Sequence, residues 1–176
     1  YSDVSRAIRH IKLRAEQHSI DPDRIGVTGG SAGGHLSLML GLDADMGDPN
    51  SEDEVMRQDN LVAAVVAYFP PVDLRQLAGP GSWSERFPAL NFDPDKAASI
   101  SPILHADPDD SPTLLIHGDA DGLVDIENSV IMYEEFQKKN VESQFITIPG
   151  GGHGFQGDDA QLADSARLEW FKKHLL

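Results

Sequence analysis

The 176 residues are enough for one domain with a sizeable core, and a hydrophobic content of 40% predicts a packed globule rather than a disordered chain. The formal charge of −15, from 29 acidic and 14 basic residues, gives a surface that repels nucleic-acid phosphates and anionic lipid, so neither a nucleic-acid nor a membrane partner is expected. With no cysteine, disulfides, thiolate metal sites and a Cys nucleophile are excluded.

The chain opens with Val4, Ile8, Ile11 and Ala15 at helical spacing, which predicts a helix with its Arg and Lys residues on the opposite face. Tyr1-Ser2-Asp3-Val4 resembles neither a signal peptide nor an initiator Met, so the natural start is expected to lie elsewhere and the compartment, cytoplasmic or secreted, stays open. Asp21-Pro22-Asp23 breaks the helix, and Arg24–Thr28 is a short β-like run. The run enters Gly29-Gly30-Ser31-Ala32-Gly33-Gly34 and then the helix-like segment 35–40. The polar, acidic stretch from Asp43 to Asp59 predicts a solvated loop and fails the calcium-loop pattern.

Leu61–Phe69 is a continuous apolar run, as in a strand buried on both faces of a parallel sheet, and Pro70-Pro71 ends it. From Asp73 to Ser111 the Gly, Pro, Ser and Trp content predicts an insertion with short helices over one end of the sheet. Thr113–Ile116 is another buried strand, leading into His117-Gly118-Asp119-Ala120-Asp121-Gly122. A helix follows on Ile126, Val130, Tyr133 and Phe136. Gln144–Ile148 is a strand that ends at Pro149-Gly150-Gly151-Gly152-His153-Gly154-Phe155, and Leu162, Ala166 and Trp170 mark the last helix. The order α-β-α-β-insertion-β-α-β-α implies an α/β fold with a mostly parallel sheet, one domain over 1–176. No apolar run approaches the roughly 18 residues that span a bilayer.

Gly29-Gly30-Ser31-Ala32-Gly33 matches Gly-x-Ser-x-Gly between a strand and a helix. That is the setting of a nucleophile elbow, in which flanking glycines avoid backbone collisions. The same loop lacks the Lys and hydroxyl of a phosphate-binding P-loop, and no register supplies a dinucleotide motif. A serine hydroxyl needs a base, and the base needs a partner that fixes its tautomer. Asp121 and His153 follow Ser31 in the order Ser, Asp, His, each just past a strand, so the sheet is expected to deliver all three to one edge. Asp119 competes with Asp121 for the acid, with a turn-forming role as its alternative, and Asp125 is expected to cap the next helix. His117 and His35 read as packing residues, with support of the acid loop as the other reading of His117. His10, His18 and His174 read as solvated helix residues, and His105 lies in the insertion. No histidine pair has metal-ligand spacing with a carboxylate, so no metal is expected.

The motifs Gly-Gly-Ser-Ala-Gly-Gly-His, His-Gly-x-x-Asp-x-x-Val and Gly-x-x-His-Gly-Phe together resemble the esterase/lipase and prolyl-oligopeptidase-related branch of the α/β-hydrolases. The chain is most similar to bacterial acetyl-xylan and feruloyl-type carboxylesterases, from Ile20 to the last helix. The resemblance implies the C-terminal part of an α/β-hydrolase fold and a serine carboxylesterase acting through Ser31, Asp121 and His153. Its substrate would be a small-molecule or carbohydrate-linked ester, and no organic cofactor is implied. Asp125 stands where family members often have Pro. The amide of Ala32 would be one oxyanion donor; the family's second comes from a His-Gly-Gly-type loop that nothing before Ser31 matches. Trp83, Phe87 and Phe92 would line the substrate pocket, or pack the insertion against the body. Two other readings stay open, a prolyl-oligopeptidase-like peptidase and a catalytically impaired fragment that acts as a binding or structural module. The elbow strand is expected at an open sheet edge, paired with a missing N-terminal segment or a second copy.

Overall fold

The computed structural model describes residues 1–176. Its elements in chain order are α1 (Ser2–Leu13), the single turn α2 (Ala15–His18), β1 (Gly26–Gly30), α3 (Ala32–Leu42), β2 (Ala64–Tyr68), the short α4 (Ser82–Arg86), four 3₁₀ turns between Pro88 and Leu104, β3 (Thr113–Gly118), α5 (Glu127–Lys139), β4 (Ser143–Ile148) and α6 (Gly157–Leu175). The four strands form one parallel sheet in the order β1-β2-β3-β4. Element types and order are those expected from the sequence, and the insertion is built of short helical turns as expected.

Alternate strand residues face opposite sides, and both sides are apolar. Val65, Ala67 and Leu115 pack with Ile8, Leu38, Met132 and Phe136 from α1, α3 and α5. Ala64, Val66, Leu114 and Ile116 pack with Ala163 and Trp170 from α6. The result is a three-layer α/β/α sandwich, which explains why the β2 and β3 runs are continuously hydrophobic rather than alternating. β1 has β2 as its only neighbour and forms one edge of the sheet.

Helix α1 departs from its expected pattern. Ile8 and Ala15 are buried, but Ile11 is 37% exposed, while Arg9 and Lys12 are almost wholly buried. The cause lies thirty to fifty residues away. The acidic loop 43–59 folds over α1, and Arg9 pairs with Asp45 at 2.6 Å, Lys12 with Asp59, Arg6 with Asp53 and Arg14 with Glu54. The loop is therefore clamped to the helix by complementary charge rather than freely solvated. His174 also departs from expectation: its ring packs 4.4 Å from that of Trp170 and is largely shielded.

Because every strand is parallel, the ends of β1, β3 and β4 open on the same edge. That edge is where α/β sheets carry their ligand sites.

Candidate active site

Ser31 sits between β1 and α3 with φ 56° and ψ −120°, a left-handed conformation that a non-glycine residue adopts only when its surroundings impose it. Its amide donates to the Tyr68 carbonyl at the end of β2, which fixes the turn. Gly29 must be glycine, because a Cβ there would lie 2.5 Å from the backbone of Gly33. Gly33 itself faces open space, so the expected collision falls on one flank of the motif and not on the other. Ala32 is the first residue of α3, and its amide has no acceptor within the helix.

The loops that follow β3 and β4 lie against each other. Gly118, the last residue of β3, permits this, since a Cβ there would lie 2.1 Å from the Gly151 carbonyl oxygen. Across the gap the Ala120 amide donates to the same carbonyl at 2.9 Å, and the Gly150 amide donates to Asp119 Oδ1 at 2.6 Å. Asp119 is thus a loop clasp. Asp125 Oδ1 accepts from the amide of Glu127, the first residue of α5, but the N-cap position itself is Ile126, so Asp125 closes a turn ahead of the helix rather than occupying the cap.

The structure brings Ser31, His153 and Asp121 into one line. His153 Nδ1 lies 2.7 Å from Asp121 Oδ2 and His153 Nε2 lies 2.8 Å from Ser31 Oγ. An ionised carboxylate can only accept, so Nδ1 carries the imidazole proton and Nε2 is free to accept from the serine hydroxyl. Asp121 Oδ1 accepts from the amides of Leu123 and Val124 at 2.8 and 3.0 Å. Burial pushes the Asp121 carboxyl up, but the bonds from His153, Leu123 and Val124 outweigh it and hold its pKa below the ordinary value. Asp121 therefore stays ionised next to the His153 imidazole.

Phe69, the residue after β2, was not singled out by its sequence context. It has φ 37°, and its ring lies 4.6 Å from that of His153 and 5.4 Å from that of Phe155. A lone aromatic at the end of an apolar run signals only core, and its contact with a loop 84 positions later leaves no trace in local pattern.

Ser31 and Ala32 open on a cavity of about 370 Å³. Its walls include Leu74, Leu77, Trp83, Phe87, Leu123 and Val124, with Asp125 as the one charged residue. Trp83 and Phe87 are stacked at 6.1 Å with 20° between their planes. Phe92 does not line the cavity. Its carbonyl lies 4.0 Å from where a Cβ of Gly79 would stand, and Gly79 is not part of the wall either. His35 anchors the insertion to α3, with its Nε2 2.7 Å from the Ile100 carbonyl oxygen. No group of three His, Asp or Glu side chains is placed to hold a metal ion, and no helix is long and apolar enough to cross a membrane.

Comparisons with known proteins place this fold in a family. The chain is 30% identical to esterase LipC of Mycobacterium tuberculosis over 179 aligned positions, covering 94% of this chain but only 42% of that protein. Among solved structures it is similar to the acetyl ester-xyloside bifunctional hydrolase of Caldicellulosiruptor lactoaceticus, with a TM-score of 0.79 and 32% identity over 97% of this chain and 61% of that one. It is also similar to Thermogutta terrifontis esterase 2 phosphoramylated by tabun, with a TM-score of 0.76 and 26% identity over 97% and 62%. The BD-FAE family model matches residues 1–136, from α1 through most of α5 and including both Ser31 and Asp121. On that match and that fold, the chain belongs to the BD-FAE family of α/β-hydrolases.

Proposed function

We propose that this chain carries the catalytic residues of a serine carboxylesterase, with Ser31 as nucleophile, His153 as base and Asp121 as the acid that orients it. The observation that carries the reading is the unbroken hydrogen-bonded line from Asp121 through His153 to Ser31, ending at an apolar cavity. The esterases among its relatives and neighbours support ester hydrolysis.

The chemistry follows from the tautomers. Ser31 Oγ attacks the ester carbonyl carbon while its proton passes to His153 Nε2. The negative charge that develops on the carbonyl oxygen is met by the Ala32 amide and the positive end of the α3 dipole. His153 returns the proton to the departing alkoxide, which leaves as the alcohol and yields an ester of Ser31. A water molecule then gives a proton to His153 and its oxygen to the acyl carbon, releasing the carboxylic acid and restoring Ser31. The reaction is redox-neutral and needs no cofactor. The aromatic pair Trp83–Phe87 and its leucine neighbours suit an apolar acyl or alcohol group. The acetyl ester-xyloside hydrolase among the neighbours favours an ester carried on a carbohydrate.

The test is turnover of short-chain aryl esters and of proline-containing peptide amides by the intact chain and by Ser31→Ala. Ester hydrolysis that disappears in the variant supports the reading. Peptide cleavage without ester turnover points to a peptidase, and no Ser31-dependent turnover of either contradicts the enzyme reading.

A further inference from the structure

His117 is wholly enclosed at the end of β3, yet both of its ring nitrogens have polar partners, and the acyl-transfer steps do not use it. Its Nε2 lies 2.9 Å from the Val124 carbonyl oxygen and 3.3 Å from Asp121 Oδ2. Both are acceptors, so Nε2 must hold a proton. Burial pulls the pKa of His117 below its ordinary value, against the Val124 bond and the Asp121 charge, so the ring is neutral and this is its only proton. Nδ1 is therefore an acceptor. Its partner at 2.7 Å is the hydroxyl of Ser129, a fully buried residue of α5, which must donate.

Asp121 Oδ2 thus faces two imidazoles in opposite tautomers. His153 donates to it from Nδ1, and the Nε2–H of His117, which donates to the Val124 carbonyl, lies beside the same carboxylate oxygen with its nitrogen 3.3 Å away. The titratable groups acting on His117 are Asp121 on the loop after its own strand and His153 from the loop after β4. From α5 it meets the uncharged Ser129, and from the end of β2 the ring of Phe69, 6.3 Å away.

We infer that Ser129 and His117 are positioning residues that extend the Ser31–His153–Asp121 line inward: Ser129 anchors the His117 ring through Nδ1, and His117 holds its Nε2–H beside Asp121 Oδ2 and takes up part of the charge that Asp121 would otherwise direct at His153. The inference rests on the reading of Asp121 as the acid of an ester hydrolase. Its physical consequence has a definite sign. A carboxylate that loses a donor carries more charge toward its remaining partner and stabilises the imidazolium of His153 more strongly. The protonation midpoint of His153 therefore rises when the His117 N–H is removed. A His117 that merely fills space would leave that midpoint where it is.

The experiment is a pH titration of the histidine rings by ¹⁵N NMR in the intact chain and in His117→Phe, His117→Gln and Ser129→Ala. In the parent, His117 is expected to carry one proton, on Nε2, across the neutral range. His117→Phe should raise the His153 midpoint by about half a pH unit, roughly a threefold change in its proton-binding constant. His117→Gln, whose side-chain amide can still donate, should restore most of the parent value. Ser129→Ala removes the anchor on Nδ1 while Val124 and Asp121 still hold the proton on Nε2, and the loosened ring should move His153 upward by less than His117→Phe does. A His153 midpoint unmoved in both His117→Phe and Ser129→Ala overturns the inference. Should His117→Phe not fold, Ser129→Ala decides alone by the same reading. None of these signals depends on turnover, so a failure to hydrolyse esters counts against the catalytic reading and leaves the relay to be judged on its own.

Discussion

The ring of Phe69 lies 4.6 Å from the imidazole of His153, tilted by 55°, on a backbone held at φ 37°. A bulky residue at positive φ costs on the order of 1–3 kcal/mol, which the surrounding structure must offset. The Phe69 amide donates to the Ile116 carbonyl oxygen at 2.8 Å, so the strained residue is pinned to β3 while its ring packs against the His153 imidazole. Phe69→Leu keeps the apolar bulk but not the tilted ring-on-ring contact. It should lower kcat for esters by roughly tenfold or more through misplacement of His153, with little change in KM. A kcat equal to that of the parent would show that the ring does not position the base.

The two aspartates of the acid loop should separate cleanly. Asp121→Asn removes the acceptor that fixes the His153 tautomer, and kcat should fall on the order of 10⁴-fold. Asp119 Oδ1 accepts only the Gly150 amide, so Asp119→Asn should cost on the order of 1 kcal/mol of stability and far less activity. Steady-state kinetics and thermal melts of the two variants, side by side, check this. The reverse ranking would reassign the acid.

Cavity-wall residues should respond by position rather than by aromatic character. Trp83 borders the cavity and Phe92 does not. Trp83→Ala should therefore reduce kcat/KM for an ester with a bulky apolar group by roughly tenfold, while leaving a small acetyl ester nearly unaffected. Phe92→Ala should treat the two esters alike. Equal discrimination by both variants would place the substrate elsewhere.

Acid stability has a sign set by the buried histidines. Burial pulls His35 and His117 below their unfolded value of about 6.5. Just below that pH the unfolded chain binds more protons than the folded one, so their contribution is full above about 6.5 and is lost as pH falls. Asp110 acts in the opposite sense, since burial pushes it up to about 7 and its contribution is lost as pH rises through that value. Comparison with His35→Gln isolates the histidine, because Gln can still donate to Ile100 but cannot become charged. Between pH 7 and 5, the Tm of His35→Gln should fall less steeply than that of the parent. Parallel curves would contradict the assignment.

The parts of the site that were legible in sequence are those set by local rules. A glycine-flanked serine between an apolar run and a helix places Ser31. The placement of loops beyond parallel strands brings Asp121 and His153 to the same edge. What escaped depends on contacts far along the chain. Arg9 and Lys12 look like solvated helix residues until the loop 43–59, with Asp45 and Asp59, closes over them. Phe69 looks like the end of a core strand because its partner is His153. Phe92 was grouped with Trp83 and Phe87 by composition, but the cavity wall is completed instead by Leu123 and Val124 from the acid loop. His117 read as packing because nothing local shows that Ser129 and Asp121 meet its two nitrogens.

Activation of Ser31 by His153 can be read by reacting the intact chain with a fluorophosphonate and locating the adduct by mass spectrometry. A single adduct is expected on the peptide that contains Ser31, absent in Ser31→Ala and formed orders of magnitude more slowly in His153→Ala. An adduct on another residue, or labelling at the parent rate in His153→Ala, would contradict it.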